Sequence, residues 1–201
     1  METVPYNQLP LEVKFERYGG GEARLVKVLK SEISNSDLDR IVEICNQKPV
    51  YDILTHLFAT GEDGSYTHED AEGFVANGDQ NWQENTQVAY FIRDSNDQIV
   101  GSVGIHEKDE NGAAEIGYWA DTNEGAGGYV TNAVEEICKI APNWGYKKLY
   151  GRVLPDNTAS IGVLTRAGFV EDTELGLVTI SREFGDRKET KEVLIYNKQL
   201  E

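Results

Sequence analysis

The chain has 201 residues, of which 39% are hydrophobic, 27% charged and 9% aromatic, the make-up of one globular domain able to bury a sizeable core. Nineteen Lys and Arg against thirty-five Asp and Glu leave a net charge of −16, which repels phosphate backbones and anionic lipid, so neither nucleic acid nor a membrane is an expected partner. The same composition excludes a disordered chain, a collagen-like repeat and a disulfide framework, and no apolar run approaches the ~20 residues of a membrane span.

The opening METVPYNQLPLEVKFERY has no basic stretch followed by an apolar one, so no signal peptide is expected and the cytoplasm is the expected compartment. Leu11–Tyr18 alternates apolar and polar residues, which predicts a strand; Gly19-Gly20-Gly21 breaks it, and Arg24–Lys30 predicts the second strand of a hairpin. Ser36-Asp37 is placed to cap a helix running to Gln47, with Leu38, Ile41, Val42 and Cys45 on one face and Pro49 ending it. Residues 50–60 predict another short helix. Thr67 caps the next, with His68, Glu69 and Asp70 in its first turn and Phe74 and Val75 on its apolar side. Val88–Arg93 and Ile99–His106 predict a hairpin, and Ala113–Ala120 a third strand. Tyr129–Ala141 is amphipathic, with Val130, Ala133, Val134, Ile137, Cys138 and Ala141 on one side, and stops at Pro142 and Gly145. Lys148–Leu154 predicts a strand and Asn157–Ala167 a helix closed by Gly168. Two last strands, Leu177–Arg182 and Val193–Tyr196, flank the polar turn FGDRKETK. The order is β-rich with helices inserted, a mixed α/β sheet.

Cys45 and Cys138 have neither a CxxC partner nor a nearby His and read as free thiols. His56, His68 and His106 share no ligand spacing, so no metal is expected, and no GxSxG elbow is present. His106, on a strand, reads either as a plain strand residue or as one that touches a substrate. Between Lys48 and Arg93 there is no Lys or Arg but there are eight acids: Asp52, Glu62, Asp63, Glu69, Asp70, Glu72, Asp79 and Glu84. They read either as a solvated face or as a wall that attracts a cationic substrate.

The segment ADTNEGAGGYVTNAVEEICKI joins a strand end to a helix start through Gly125, Ala126, Gly127 and Gly128. Small residues let a backbone approach a ligand, and the first turn of a helix offers unpaired N–H groups at the positive end of its dipole. The stretch suits a phosphate cradle or a plain tight connection. It is not a Walker loop, since no GK[ST] ends it, and hairpins rather than a βαβ unit precede it.

Taken in order, QIVGSVGIH, AAEIGYWAD, GGYVTNAV and GYKKLYGRVLPDNTASIGVLTRAGFVED resemble the GNAT superfamily of N-acetyltransferases. Within it the sequence looks most like the branch that acetylates N-terminal amines of ribosomal proteins and also holds many small-amine acetyltransferases. The resemblance spans about residues 24–198 and is carried by EIGYW together with NTASIGVLTRAGF. It implies an α/β fold with a mixed, mostly antiparallel central sheet splayed in the middle and about four helices. Residues 1–22 are then an N-terminal extension and 23–201 a single domain. It further implies acetyl-CoA as donor, no metal, and direct ternary-complex transfer to a primary amine. The segment 49–92 would shape a pocket for a cationic acceptor such as a peptide N-terminus, a polyamine or an aminosugar.

By the same resemblance the pyrophosphate loop Q/R-x-x-G-x-G/A falls on Asn123, Glu124, Gly125, Ala126, Gly127 and Gly128 and runs into Tyr129 and Val130. Asn123 replaces the usual Gln or Arg, and Ala126 the first Gly; Arg166, with Lys147 or Lys148, would offset the charge of Glu124. The strand Glu115–Ala120 would hold the pantetheine arm, with Glu115, Gly117 and Trp119 on one side and Ala114, Ile116, Tyr118 and Ala120 on the other. Backbone N–H groups near Tyr118 and Trp119 would bind the thioester oxygen. Glu115 is the expected general base, through a water. Asn157 would bond the pantetheine amide, Ser160 would protonate the leaving thiolate, and Tyr196 is a second candidate acid. A non-catalytic acyl-CoA-binding or sensor protein on the same fold is the alternative, and a nucleotide- or phosphate-binding module a third reading. Monomer and homodimer are both open.

Overall fold

In the computed structural model, which describes residues 8–123, 128–185 and 187–201, β1 (Glu12–Glu16) and β2 (Glu22–Lys27) form the expected hairpin. The first helix, α1 (Asn35–Cys45), is capped by Ser34, two residues before the predicted cap. Ser34 Oγ accepts the Asp37 amide while the Asp37 carboxylate accepts the Ser34 amide. Asp37 therefore serves as the return arm of a capping box, not as a neighbour of the cap. Pro49 does not end α1; it sits in the first turn of α2 (Lys48–Ile53), where a missing N–H costs nothing. A 3-10 turn follows at Thr55–Leu57. Thr67 and Asp70 make a second reciprocal box at the start of α3 (His68–Glu84), which ends at Asn85 in the left-handed conformation.

The next elements are β3 (Val88–Arg93), β4 (Ile99–Ile105), β5 (Ala113–Ala120) and α4 (Tyr129–Ile140). They are followed by β6 (Lys148–Val153), α5 (Thr158–Arg166) and the two-residue β7 (Val170–Glu171), which was not predicted. Of the last two strands, β8 (Val178–Phe184) is close to its expected bounds, whereas β9 (Arg187–Gln199) is far longer than expected. They pair from Val178 with Val193 out to Phe184 with Arg187, so most of FGDRKETK is strand; Asp186 lies outside the described residues. Among the described residues five α-helices stand where about four were expected.

The sheet runs β1-β2-β3-β4-β5-β6-β9-β7, with β8 attached to β9. Among the described residues every pair is antiparallel except β5 with β6. That one parallel pairing covers only Ala113–Glu115 against Lys148–Tyr150, whereas β5 stays paired to β4 as far as Ala120. The sheet therefore opens into a V beyond Glu115. Its two faces carry two cores. One holds Tyr90, Val103, Ile116, Ile137, Trp144 and Leu149 under α4 and α5; the other holds Ile41, Ile44, Val75, Phe91 and Trp119 under α1 and α3. Two glycines of β4 keep the strands close: a Cβ on Gly101 would stand 2.6 Å from the Trp119 carbonyl, and one on Gly104 2.7 Å from that of Val88.

Candidate active site

Two cavities flank β5. One, of about 340 Å³, lies in the V and is lined by Gly117, Tyr118, Gly151, Asn157 and Ser160. The other, of about 400 Å³, lies on the α3 side against Phe74 and Trp119. Both are bounded by His106, Gly117, Tyr118, Phe58 and Phe184, so they meet at the middle of β5. There the His106 Nε2 comes within 3.5 Å of where a Gly117 Cβ would stand. The ring nitrogens of His106 have no hydrogen-bond partner among the described residues, and its backbone amide donates to the Glu115 carbonyl at 2.9 Å.

Glu115 sits where the strands part, and one of its oxygens is taken by an ion pair with Arg152 of β6. That bond in turn favours the charged form of Arg152. Tyr118 reaches across the V to donate its hydroxyl to the Ser160 carbonyl at 3.2 Å, and burial pushes its phenol up to about 12. Asn157 is the N-cap of α5: its Oδ1 accepts the Ser160 amide at 3.1 Å and its Nδ2 donates to Ser160 Oγ at 3.0 Å. Both side chains line the V, yet each already serves the helix start.

Tyr196 is not brought to either cavity. It packs in the core below α4 and α5, and its hydroxyl donates to Glu171 Oε2 at 3.2 Å. Period 2 fixes which residues of β9 share a face but not what that face meets. Arg166, the last residue of α5, is exposed and folds back over Gly162. Lys147 and Lys148 enter and begin β6.

Of the expected phosphate loop, Glu124, Gly125, Ala126 and Gly127 lie outside the described residues. Gly128 stands at the start of α4 with φ 74°, conformationally a glycine position. Tyr129 is buried beneath the Arg17 guanidinium, 4.2 Å above its ring, and Val130 is half-buried. The lead-in is tightly held. Asp121, buried after Ala120, accepts from Arg40, from Gln47 Nε2 at 2.8 Å and from the Asn123 amide at 2.8 Å. Burial alone would raise the Asp121 carboxyl, but these bonds outweigh it and hold it below the usual carboxylate range.

The acidic segment is less of a wall than its count suggests. Asp52 pairs with Lys48, Asp63 and Asp70 accept backbone amides, Glu72 faces His68, and Asp79 and Glu84 accept from Gln83 and Gln80. Glu62 and Glu69 have no partner among the described residues, and of these two only Glu69 lines a cavity. His56 bonds Glu189 at 3.0 Å and His68 bonds Asp39 at 3.2 Å, both away from Gly117. Among the described residues no group of three His, Cys, Asp or Glu could hold a metal, and no helix is long and apolar enough to cross a membrane.

Arg152, Phe58, Phe184 and Gly73 were not singled out from sequence. They reach the cavities from separate elements, and no local motif marks them.

A family model described as an acetyltransferase (GNAT) domain matches residues 29–170. No curated protein matches. Among solved structures, RimJ of Mycobacterium smegmatis in complex with CoA-disulfide is 18% identical, with a TM-score of 0.72 over 96% of this chain and 88% of that one. Ribosomal-protein-S5-alanine acetyltransferase from Vibrio fischeri is 18% identical, at 0.63 over 94% and 97%. Spermidine N-acetyltransferase from Vibrio cholerae, in complex with CoA and spermine, is 14% identical, at 0.59 over 84% and 92%. At these identities the likeness carries the fold.

Proposed function

The chain belongs to the GNAT family of acetyltransferases, and on that premise we propose that it moves an acetyl group from acetyl-CoA to a primary amine that enters from the α3-side cavity past Glu69. The parting of β5 from β6 is the observation that supports this most directly. Ile116–Ala120 have no ladder partner on the β6 side, and an open strand edge beside a cavity suits an extended arm that carries amides of its own. The backbone of Tyr118, Trp119 and Ala120 would hold that arm, with Asn157 and Ser160 across the opening. Gly128, Tyr129 and Val130 at the N-terminus of α4 would face its phosphates. When bound, acetyl-CoA supplies the activated acetyl group.

The chain's own task is to manage protons. The acceptor arrives as an ammonium and must lose a proton before its nitrogen can bond the acetyl carbon and the carbon–sulfur bond can break. His106, at the junction of the cavities with unengaged ring nitrogens, takes that proton; imidazole suits such transfer near neutrality. Glu115, half committed to Arg152, is the second candidate base. Tyr118, poised across the V and protonated at neutral pH, returns a proton to the departing sulfur in place of Tyr196.

Calorimetry with acetyl-CoA, followed by CoA release across a panel of primary amines, tests the proposal. One micromolar acetyl-CoA site and amine-dependent turnover are expected. His106→Gln should lower kcat by roughly 100-fold or more with acetyl-CoA affinity within about twofold, and Glu115→Gln by less. Silence up to millimolar acetyl-CoA would overturn the proposal, and binding without turnover would favour a sensor on the same fold.

A further inference from the structure

The α3-side cavity also bears on what the acceptor carries besides its amine, given the acetyltransferase reading above. Gly73 lies in the interior of α3, where glycine is a poor helix former. It lines the cavity, and a Cβ there would meet no atom within 4 Å. Nothing in this chain's own packing calls for a glycine, yet Gly73 is exposed at the rim of the cavity and its missing side chain leaves that entrance one side chain wider. Phe58 and Phe184 meet edge to face at 4.9 Å on the lip shared by both cavities, 38% and 46% exposed. Two large apolar rings left in water at a cavity mouth mark a surface that a ligand covers. Phe74 and Trp119, 6.0 Å apart, continue the apolar wall inward.

The charges of this cavity are few. Asp70 is spent on the amides of Thr60 and Thr67, which leaves Glu69 as its one carboxylate without a partner among the described residues. A single carboxylate matches a single ammonium. A polyamine would set its further charges against an apolar wall.

We propose that the acceptor is a monoamine with an aromatic or similarly bulky apolar group close to its nitrogen. The amine points to His106 and the apolar body fills the space beside Gly73, under Phe58 and Phe184. The test compares L-phenylalaninamide, glycinamide and spermidine, with 2-phenylethylamine to separate an amino-acid-like acceptor from a simple arylalkylamine. Burying a benzyl group should raise kcat/KM for phenylalaninamide at least tenfold over glycinamide and spermidine. Gly73→Leu, which fills the space, should lower phenylalaninamide turnover at least tenfold more than glycinamide turnover. Thermal melting of Gly73→Leu against wild type checks that the variant folds.

Equal turnover of the two amides, preference for spermidine, or an equal loss for both amides in Gly73→Leu would overturn the inference. Calorimetric binding of the two amides in the presence of CoA reads the same preference without chemistry. Preference without turnover would refute the catalytic reading alone, whereas turnover without preference would refute this one alone.

Discussion

Asp121→Asn removes the charge that fixes the end of β5. The Asp121 carboxylate is 2% exposed and takes the Arg40 guanidinium, the Gln47 amide and the Asn123 N–H together. Removing one partner of a buried ion pair costs roughly 3–5 kcal/mol. Asn keeps one acceptor oxygen for Gln47 and Asn123, and Arg40 retains Glu43 at 2.7 Å and the Ile99 carbonyl at 3.1 Å. The expected loss is therefore about 2–3 kcal/mol. For a chain of this length that lowers Tm by roughly 5–10 °C. The pH dependence follows from the depressed native pKa of Asp121. Its stabilisation is fully present above the unfolded-state value of about 3.9 and is lost as pH falls through the lower native value. Urea unfolding of wild type and variant should differ fully at pH 7 and pH 5, with the gap closing below about pH 4. A gap under about 0.5 kcal/mol at pH 7, or one that stays flat into acid, would refute this account of the strand end.

Two glycines of α3 should respond in opposite directions to alanine. Gly73→Ala is expected to stabilise by about 0.5–1 kcal/mol, since the Cβ meets nothing within 4 Å. Gly78→Ala would place its Cβ 2.6 Å from Val28 Cγ1 and should destabilise by about 1–3 kcal/mol; thermal melts that shift both the same way would contradict the packing described. The thiols of Cys45 and Cys138, pushed up by burial to about 12 and about 11, should resist Ellman's reagent in the native protein at pH 8 and react on unfolding. Rapid native reaction of either would show that its burial is wrong.

What was legible from sequence depended on whether a signal was local. The strand Ala113–Ala120 was read to the residue, because strict alternation places Ala114 and Ile116 in one core and Trp119 in the other. The Thr67 cap was equally plain. The outer β8–β9 ribbon was not, because one face is in water and the other meets residues 53–59 largely through the polar side chains of Arg182, Arg187 and Glu189, so Lys188, Glu189, Thr190 and Lys191 form strand without apolar alternation. Glu115, Tyr118, Asn157 and Ser160 were found as motif positions and do line the V. What they touch was out of reach. Arg152 meets Glu115 from 37 residues away, and Phe184 meets Phe58 from the far end of the chain.

The charge shows why a composition can point to a site without describing it. Eight acids and no Lys or Arg between Lys48 and Arg93 read either as a solvated face or as a wall that attracts a cation. In the fold, Asp63 and Asp70 answer backbone amides at a turn and a helix start, and Asp79 holds the Lys30 amide at 3.2 Å against α3. Such acids secure donors that a helix start or a loop would otherwise leave unpaired. Their number reflects how the segment folds. The field an acceptor near Gly117 would feel comes from Glu69 on the approach and from paired charges along the V, Glu115 with Arg152, Glu183 with Lys188, and Arg182 and Lys191 with Glu189, which largely cancel. With so little charge at that point, selection among amines falls to the shape and apolar character of the cavity walls.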